Sequence, residues 1–152
     1  MNTQPGAIWS HLRNTCADRN NKALLLDGVG DYVAVDTVQN LGLNRSFTLE
    51  AWVRMPSPYN TTRQPILCSA NESLCLFVKD GMFQCKYGSG IYTSNTSIPA
   101  RAWTVVTMHY EYAYQRLSLF VNATKKTAFR GVALYNWTMD NDTTIYLGKD
   151  KS

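Results

Sequence analysis

The chain has 152 residues, of which 45% are hydrophobic and 17% charged, and its fifteen Lys and Arg against eleven Asp and Glu leave a net charge of +4. That length suits one domain with a substantial core, and that composition excludes a disordered chain. No apolar run approaches the roughly eighteen residues of a membrane-spanning helix, and the basic residues are scattered singly except for Lys125-Lys126, which argues against a nucleic-acid partner.

Residues 1–21 are polar and irregular, and read as a lead-in anchored by Trp9 or Cys16; residues 22–152 form the domain. Met1 to Ser10 hold neither a basic start nor an apolar stretch, so no signal peptide is visible. Ala23-Leu24-Leu25-Leu26 and Asp31-Tyr32-Val33-Ala34-Val35 read as strands around the glycine-rich turn Asp27-Gly28-Val29-Gly30. No Gly-Lys-Ser/Thr follows those glycines, which removes a phosphate-binding loop. Thr37 to Asn44 is a short helical turn or a loop. From Ser46 to Arg54, Phe47, Leu49, Ala51 and Val53 alternate with Thr48, Glu50, Trp52 and Arg54, the period of a strand with one buried face.

Pro56-Ser57-Pro58-Tyr59-Asn60 then breaks regular structure. Ile66 to Ser69 is a brief strand, Ser73 to Val78 and Met82 to Tyr87 form a hairpin, and Ile91-Tyr92-Thr93 is a further short strand. Ala102 to Tyr110 is apolar on both sides, as expected near the middle of a two-layer structure. Tyr112 to Gln115 connects it to Leu117–Val121, and Asn122-Ala123 turns the chain into Lys126–Phe129. Gly131 to Asp142 is a loop, and Thr144 to Gly148 a last strand. Strands at this spacing, with no 3.6-residue period, predict an all-β antiparallel sandwich of the jelly-roll type.

Four cysteines allow three pairings. A three-residue loop Lys79-Asp80-Gly81 would pair Val78 with Met82 and bring Cys75 opposite Cys85 at a non-hydrogen-bonded position, leaving Cys16 and Cys68 as the other pair or free. A two-residue Asp80-Gly81 turn would shift that register by one. Seven Asn-x-Ser/Thr sequons, at Asn44, Asn60, Asn71, Asn95, Asn122, Asn136 and Asn141, exceed the about two that chance gives. They point to a secreted or ectodomain glycoprotein, although Asn, Ser and Thr are also the turn formers of any all-β chain.

The segments Leu26-Asp27-Gly28-Val29-Gly30-Asp31-Tyr32-Val33, Phe47-Thr48-Leu49-Glu50-Ala51-Trp52-Val53, Ala102-Trp103-Thr104-Val105-Val106, Leu117-Ser118-Leu119-Phe120-Val121-Asn122 and Ile145-Tyr146-Leu147-Gly148 resemble the laminin G-like, concanavalin A-like lectin jelly roll, pentraxins included. The resemblance implies two curved antiparallel sheets packed face to face. Such domains continue to a closing strand that has no counterpart before Ser152, so the N-terminal residues substitute, or the chain is a fragment, or a partner supplies the strand. The family also implies calcium as a cofactor to consider. Asp140, Asn141 and Asp142 offer hard oxygens, as do Asp27 and Asp31, and both groups equally fit ordinary turns.

Glycosidases share this architecture, but Glu50 and Glu72 are isolated and Glu111 sits among tyrosines, so no carboxylate pair stands out. His109, in an apolar strand, fits a satisfied structural residue better than a base. The ligand-binding candidates are the aromatics Tyr59, Tyr92, Tyr112 and Tyr114, with Tyr110 joining the last two if its strand continues. The expected function is non-catalytic recognition of a protein or carbohydrate outside the cell; an intracellular scaffold and a divergent glycoside-active enzyme are the alternatives.

Overall fold

The computed structural model describes residues 2–3, 8–11, 22–27, 30–35, 45–56, 61–134 and 144–149. In chain order the strands are β1 (Asn2–Thr3), β2 (Ile8–His11), β3 (Lys22–Leu25), β4 (Val33–Val35), β5 (Phe47–Arg54), β6 (Gln64–Ser69) and β7 (Leu74–Lys79). They continue with β8 (Met82–Tyr87), β9 (Gly90–Ser97), β10 (Trp103–Glu111), β11 (Arg116–Val121), β12 (Thr124–Arg130) and β13 (Ile145–Leu147). Tyr112–Tyr114 is a single 3-10 turn between β10 and β11.

Two sheets make the expected sandwich. One runs β1-β4-β13-β6-β7-β8-β9 and the other β12-β11-β10-β5, while β2 and β3 pair separately. Every pairing within them is antiparallel. Alternation decides which residues meet between the layers. Leu74, Leu76 and Val78 from β7, Phe83, Cys85 and Tyr87 from β8, and Val106, Met108 and Tyr110 from β10 are buried in one core with Leu117, Leu119 and Val121 from β11. Phe47, Leu49, Ala51 and Val53 of β5 pack against it, as their spacing predicts. At its centre the Tyr110 ring lies 5.0 Å from Tyr87 and 5.8 Å from Phe47, and its hydroxyl donates to the Val132 carbonyl at 2.9 Å, satisfying the one polar atom the ring brings inside.

Of residues 1–21, the described segments β1 and β2 both pair with later strands. β1 pairs with the side of β4 that β13 leaves free, placing Asn2 opposite Ala34 and Thr3 opposite Val33. N-terminal residues thus form one edge of this sheet. β2 captures β3, so the runs on either side of the glycine turn belong to different sheets rather than to one hairpin.

The cysteine pairing differs from the sequence expectation, and the turn explains it. Asp80 and Gly81 take φ of 53° and 72°, the positive angles of a two-residue type I′ hairpin, and Lys79 faces Met82. This register sets Cys85 against Leu76 in the core and Cys75 against Lys86 on the outer face, so Cys75 and Cys85 point to opposite sides of the sheet. Cys75 instead lies opposite Cys68 of β6, with Cα atoms 4.1 Å apart, and these two form the disulfide. Cys68 is therefore not available to Cys16, which lies outside the described residues. Cys85 is a free buried thiol whose pKa burial pushes far up, and so an unreactive one.

Non-reducing peptide mapping should recover the Cys68–Cys75 link, and native protein should protect Cys85 from alkylation. Because the bridge closes a short loop of sequence separation 7, a Cys68→Ala, Cys75→Ala double variant should lose about 2.5 kcal/mol in urea unfolding. Gly148 has φ of +81°, and a Cβ there would meet the Leu26 side chain. Gly148→Ala should therefore cost about 1–3 kcal/mol in the same assay.

Candidate functional site

The outer face of the four-stranded sheet collects the side chains that the core rejects. β10 contributes Trp103, Val105, Thr107, His109 and Glu111, β5 contributes Thr48, Glu50, Trp52 and Arg54, and β11 contributes Arg116 and Phe120. Register joins them in rows: Trp52 opposite Val105, Glu50 opposite Thr107, and Thr48 opposite His109.

A polar relay fills the middle. Thr48 Oγ1 and His109 Nδ1 are 2.8 Å apart, and His109 Nε2 lies 3.3 Å from Glu111 Oε1. Arg116 Nε donates to Glu111 Oε2 at 2.6 Å, and Thr107 Oγ1 donates to Glu50 Oε2 at 3.0 Å. Desolvation opposes the charge on Glu111, but the Arg116 hydrogen bond and charge, followed by those of His109, outweigh it and hold the carboxyl below its ordinary pKa. Both His109 nitrogens are engaged. Glu50 and Glu111 are one strand over and four residues along from each other, about 14 Å between Cα atoms at β spacing.

Beyond Glu111 the strand ends and the chain makes its 3-10 turn, so Tyr110 and the tyrosines after it do not share a side: Tyr110 is buried, whereas Tyr112 is 51% and Tyr114 74% exposed. The turn is held at three points. Tyr112 N–H donates to Ser46 Oγ at 2.9 Å, Gln115 N–H to the Tyr112 carbonyl at 3.1 Å, and Val132 N–H to the Gln115 carbonyl at 3.0 Å. Gln115 itself takes φ of 45°, the left-handed conformation that reverses the chain into β11. Tyr112, Ala113, Tyr114, Gln115 and Gly131 line an open groove of about 430 Å³. The Arg116 guanidinium lies 5.7 Å from the centre of the Tyr114 ring, so the groove carries aromatic surface and a cation together.

The structure thus brings together Tyr112 and Tyr114, and it separates Tyr92 from them. Tyr92, expected at a loop, lies within β9 and packs inward on Phe129 with ring centres 4.9 Å apart. Tyr59 and the three acidic-loop candidates Asp140, Asn141 and Asp142 lie outside the described residues, as do the sequons at Asn44, Asn60, Asn136 and Asn141. Asn71, Asn95 and Asn122 are all exposed. Asp31 is buried and accepts from the Asp27 amide at 3.3 Å, the bond of a turn. Among the described residues no group of three or more His, Cys, Asp or Glu could hold a metal ion, and no helix is long and apolar enough to cross a membrane. Sequence reasoning missed the exposure of Trp52, at 66%, and of Trp103, at 38%; the alternation already placed Trp52 on the polar side of β5, which was the available signal.

Two antiparallel sheets packed face to face define a jelly-roll β-sandwich. The chain belongs to the concanavalin A-like lectin/glucanases superfamily, whose laminin G family model matches residues 27–152. Among solved structures it is similar to domain 4 of an extracellular arabinanase from Geobacillus stearothermophilus in complex with arabinotriose, at 17% identity and a TM-score of 0.61, covering 88% of this chain and 64% of that one. The binding domain of botulinum neurotoxin DC in complex with rat synaptotagmin II matches at 16% identity and a TM-score of 0.60, covering 77% and 32%. Domains LG4-5 of the mouse laminin alpha1 chain match at 19% identity and a TM-score of 0.54, covering 80% and 32%. This chain spans less than two thirds of the length of each, and at such identities the likeness establishes the fold. No curated protein sequence matches it.

Glu111 has a depressed pKa, so its contribution to stability is present above the unfolded-state value and is lost as pH falls through the folded one. In a carboxyl NMR titration, Arg116→Ala should move the Glu111 midpoint up toward the ordinary carboxylate range. An unmoved midpoint would show that Arg116 does not set it.

Proposed function

We propose that this chain is a non-catalytic recognition module of an extracellular protein, and that it binds a carbohydrate or protein ligand at the Tyr112–Gly131 groove. The observation that carries this reading is the pair of exposed tyrosines on a turn fixed from three sides, with Arg116 beside them. Leaving two large rings in water costs hydrophobic free energy that a folded chain ordinarily recovers by burial. A rigid aromatic pair recovers it on binding, with little further loss of side-chain freedom. A sugar's C–H face or an apolar side chain can lie on the rings, while Arg116 and the turn's backbone carbonyls supply polar contacts.

Three further points support the reading. Domain 4 of the arabinanase is in complex with arabinotriose and the toxin binding domain is in complex with synaptotagmin II, which supports a carbohydrate or protein ligand for this chain. The carboxylates of Glu50 and Glu111 each already hold hydrogen-bond partners on the sheet. The Cys68–Cys75 disulfide and the excess of sequons suit an oxidising, secretory environment.

Screening the protein against a glycan array and a panel of ectodomains should yield a ligand whose affinity falls at least about tenfold, or about 1.4 kcal/mol, in each of Tyr112→Ala and Tyr114→Ala. The melting temperature should stay put, since neither ring is buried. A ligand indifferent to both substitutions would place recognition elsewhere on the molecule. Turnover of any oligosaccharide on the array would overturn the non-catalytic part.

A further inference from the structure

The register places a sequon and an exposed tryptophan in one row. Asn122 N–H donates to the Val105 carbonyl at 2.8 Å, Val105 N–H donates to Asn122 Oδ1 at 3.2 Å, and Val105 lies directly opposite Trp52. Only the amide oxygen can accept the Val105 bond, so Asn122 Nδ2 is left to face away from the ladder. Asn122-Ala123-Thr124 is an exposed acceptor for N-glycosylation. Two strand spacings, about 10 Å, separate Asn122 from Trp52, a distance within reach of the first two sugars of a chain attached there. Trp52 is 66% exposed, and Trp103, two residues from Val105 on the same face of β10, is 38% exposed.

We propose that an N-linked glycan on Asn122 folds back over Val105 and lays the apolar face of its first sugars on Trp52. The inference rests on the extracellular reading above, because attachment requires a secretory transferase and a lipid-diphosphate-linked oligosaccharide. Nδ2 forms a bond to the anomeric carbon and gives up a proton, and the lipid diphosphate leaves with the electrons of the broken C–O bond. The other exposed described sequons lack this arrangement. Asn71 Oδ1 accepts from Ser69 and Ser73 within a β6–β7 turn, Asn95 bonds Thr127 from β9, and neither β8 nor β9 carries a large exposed aromatic ring. The protein's own carbohydrate thus covers the Trp52 end of the sheet and leaves the Tyr112–Gly131 groove as the open end.

The test uses the whole chain secreted from a eukaryotic host, with occupancy of each sequon read by peptide mass. Thr124→Ala removes the sequon while keeping Asn122 and its bond to Val105. Acrylamide quenching assigned to Trp52 by difference with Trp52→Phe should be weaker in the glycosylated protein than in Thr124→Ala. Thr124→Ala should also lower the melting temperature by about 2–4 °C, and that loss should vanish in the Trp52→Ala background. An occupied Asn122 with unchanged quenching and no such coupling would overturn the proposal. So would an unoccupied Asn122 beside other glycosylated sequons, with the extracellular reading intact. Absence of glycan at every sequon would defeat both.

Discussion

Strand β10 is the constraint on which both halves of this molecule depend. It pairs with β5 over eight residues and with β11 over six, so one register decides what three strands send inward and outward. Val106, Met108 and Tyr110 are fully buried, whereas Val105, Thr107, His109 and Glu111 face out. A slip by one residue would drive His109 and Glu111 into the core and Tyr110 into water, costing two desolvated polar groups and the aromatic cluster together. The Tyr110 hydroxyl guards against it, because its bond to the Val132 carbonyl fixes the ring's depth as well as its side. The core and the candidate site are thus the two faces of one register.

The opposite sheet solves a different problem, that of its edges. A seven-stranded sheet has two, and here residues far apart in sequence cover them in part. β1 comes from the start of the chain to extend β4, and the Asn95 amide at the β9 edge donates to Thr127 Oγ1 of β12 in the other layer at 3.0 Å. The disulfide lies on this sheet's outer face, where Cys68 and Cys75 are buried with Phe77 and the Arg63 guanidinium sits 4.2 Å from the Phe77 ring centre. The bridge therefore fastens β6 to β7 from outside, while Leu76 and Val78 fasten the same strands from within.

What could be read from the sequence follows the range of the interactions concerned. Period-two alternation is local, so β5, β8, β10 and β11 were legible, and with them the sandwich and most of the core. Pairing between strands is not local. Whether Lys79-Asp80-Gly81 or Asp80-Gly81 forms the hairpin turn changes no alternation, yet it reverses which cysteine faces Cys75. The capture of β3 by β2 was equally hidden, since Ala23 to Leu26 is apolar whichever sheet it joins. At the site, Tyr112 and Tyr114 could be picked out as surface aromatics on a connection. The relay from Thr48 through His109 and Glu111 to Arg116 could not, because Thr48 and His109 are 61 residues apart and meet only through register.

That relay also bears on what the face can do. Its groups hold one another: His109 between Thr48 and Glu111, Glu111 between His109 and Arg116, Glu50 by Thr107. Displacing Arg116 from Glu111 or Thr107 from Glu50 would break charge-assisted hydrogen bonds, which are about twice as strong as neutral ones, although the Arg116 guanidinium has further N–H donors to offer. The rings at the two ends face no such cost. Tyr112 and Tyr114 at one end and Trp52 at the other are the large surfaces whose burial is unopposed by an existing partner, so free energy gained by covering this sheet is concentrated at its ends. The locked centre holds those ends apart, so covering the Trp52 end, as proposed for the Asn122 glycan, leaves the Tyr112 and Tyr114 end exposed.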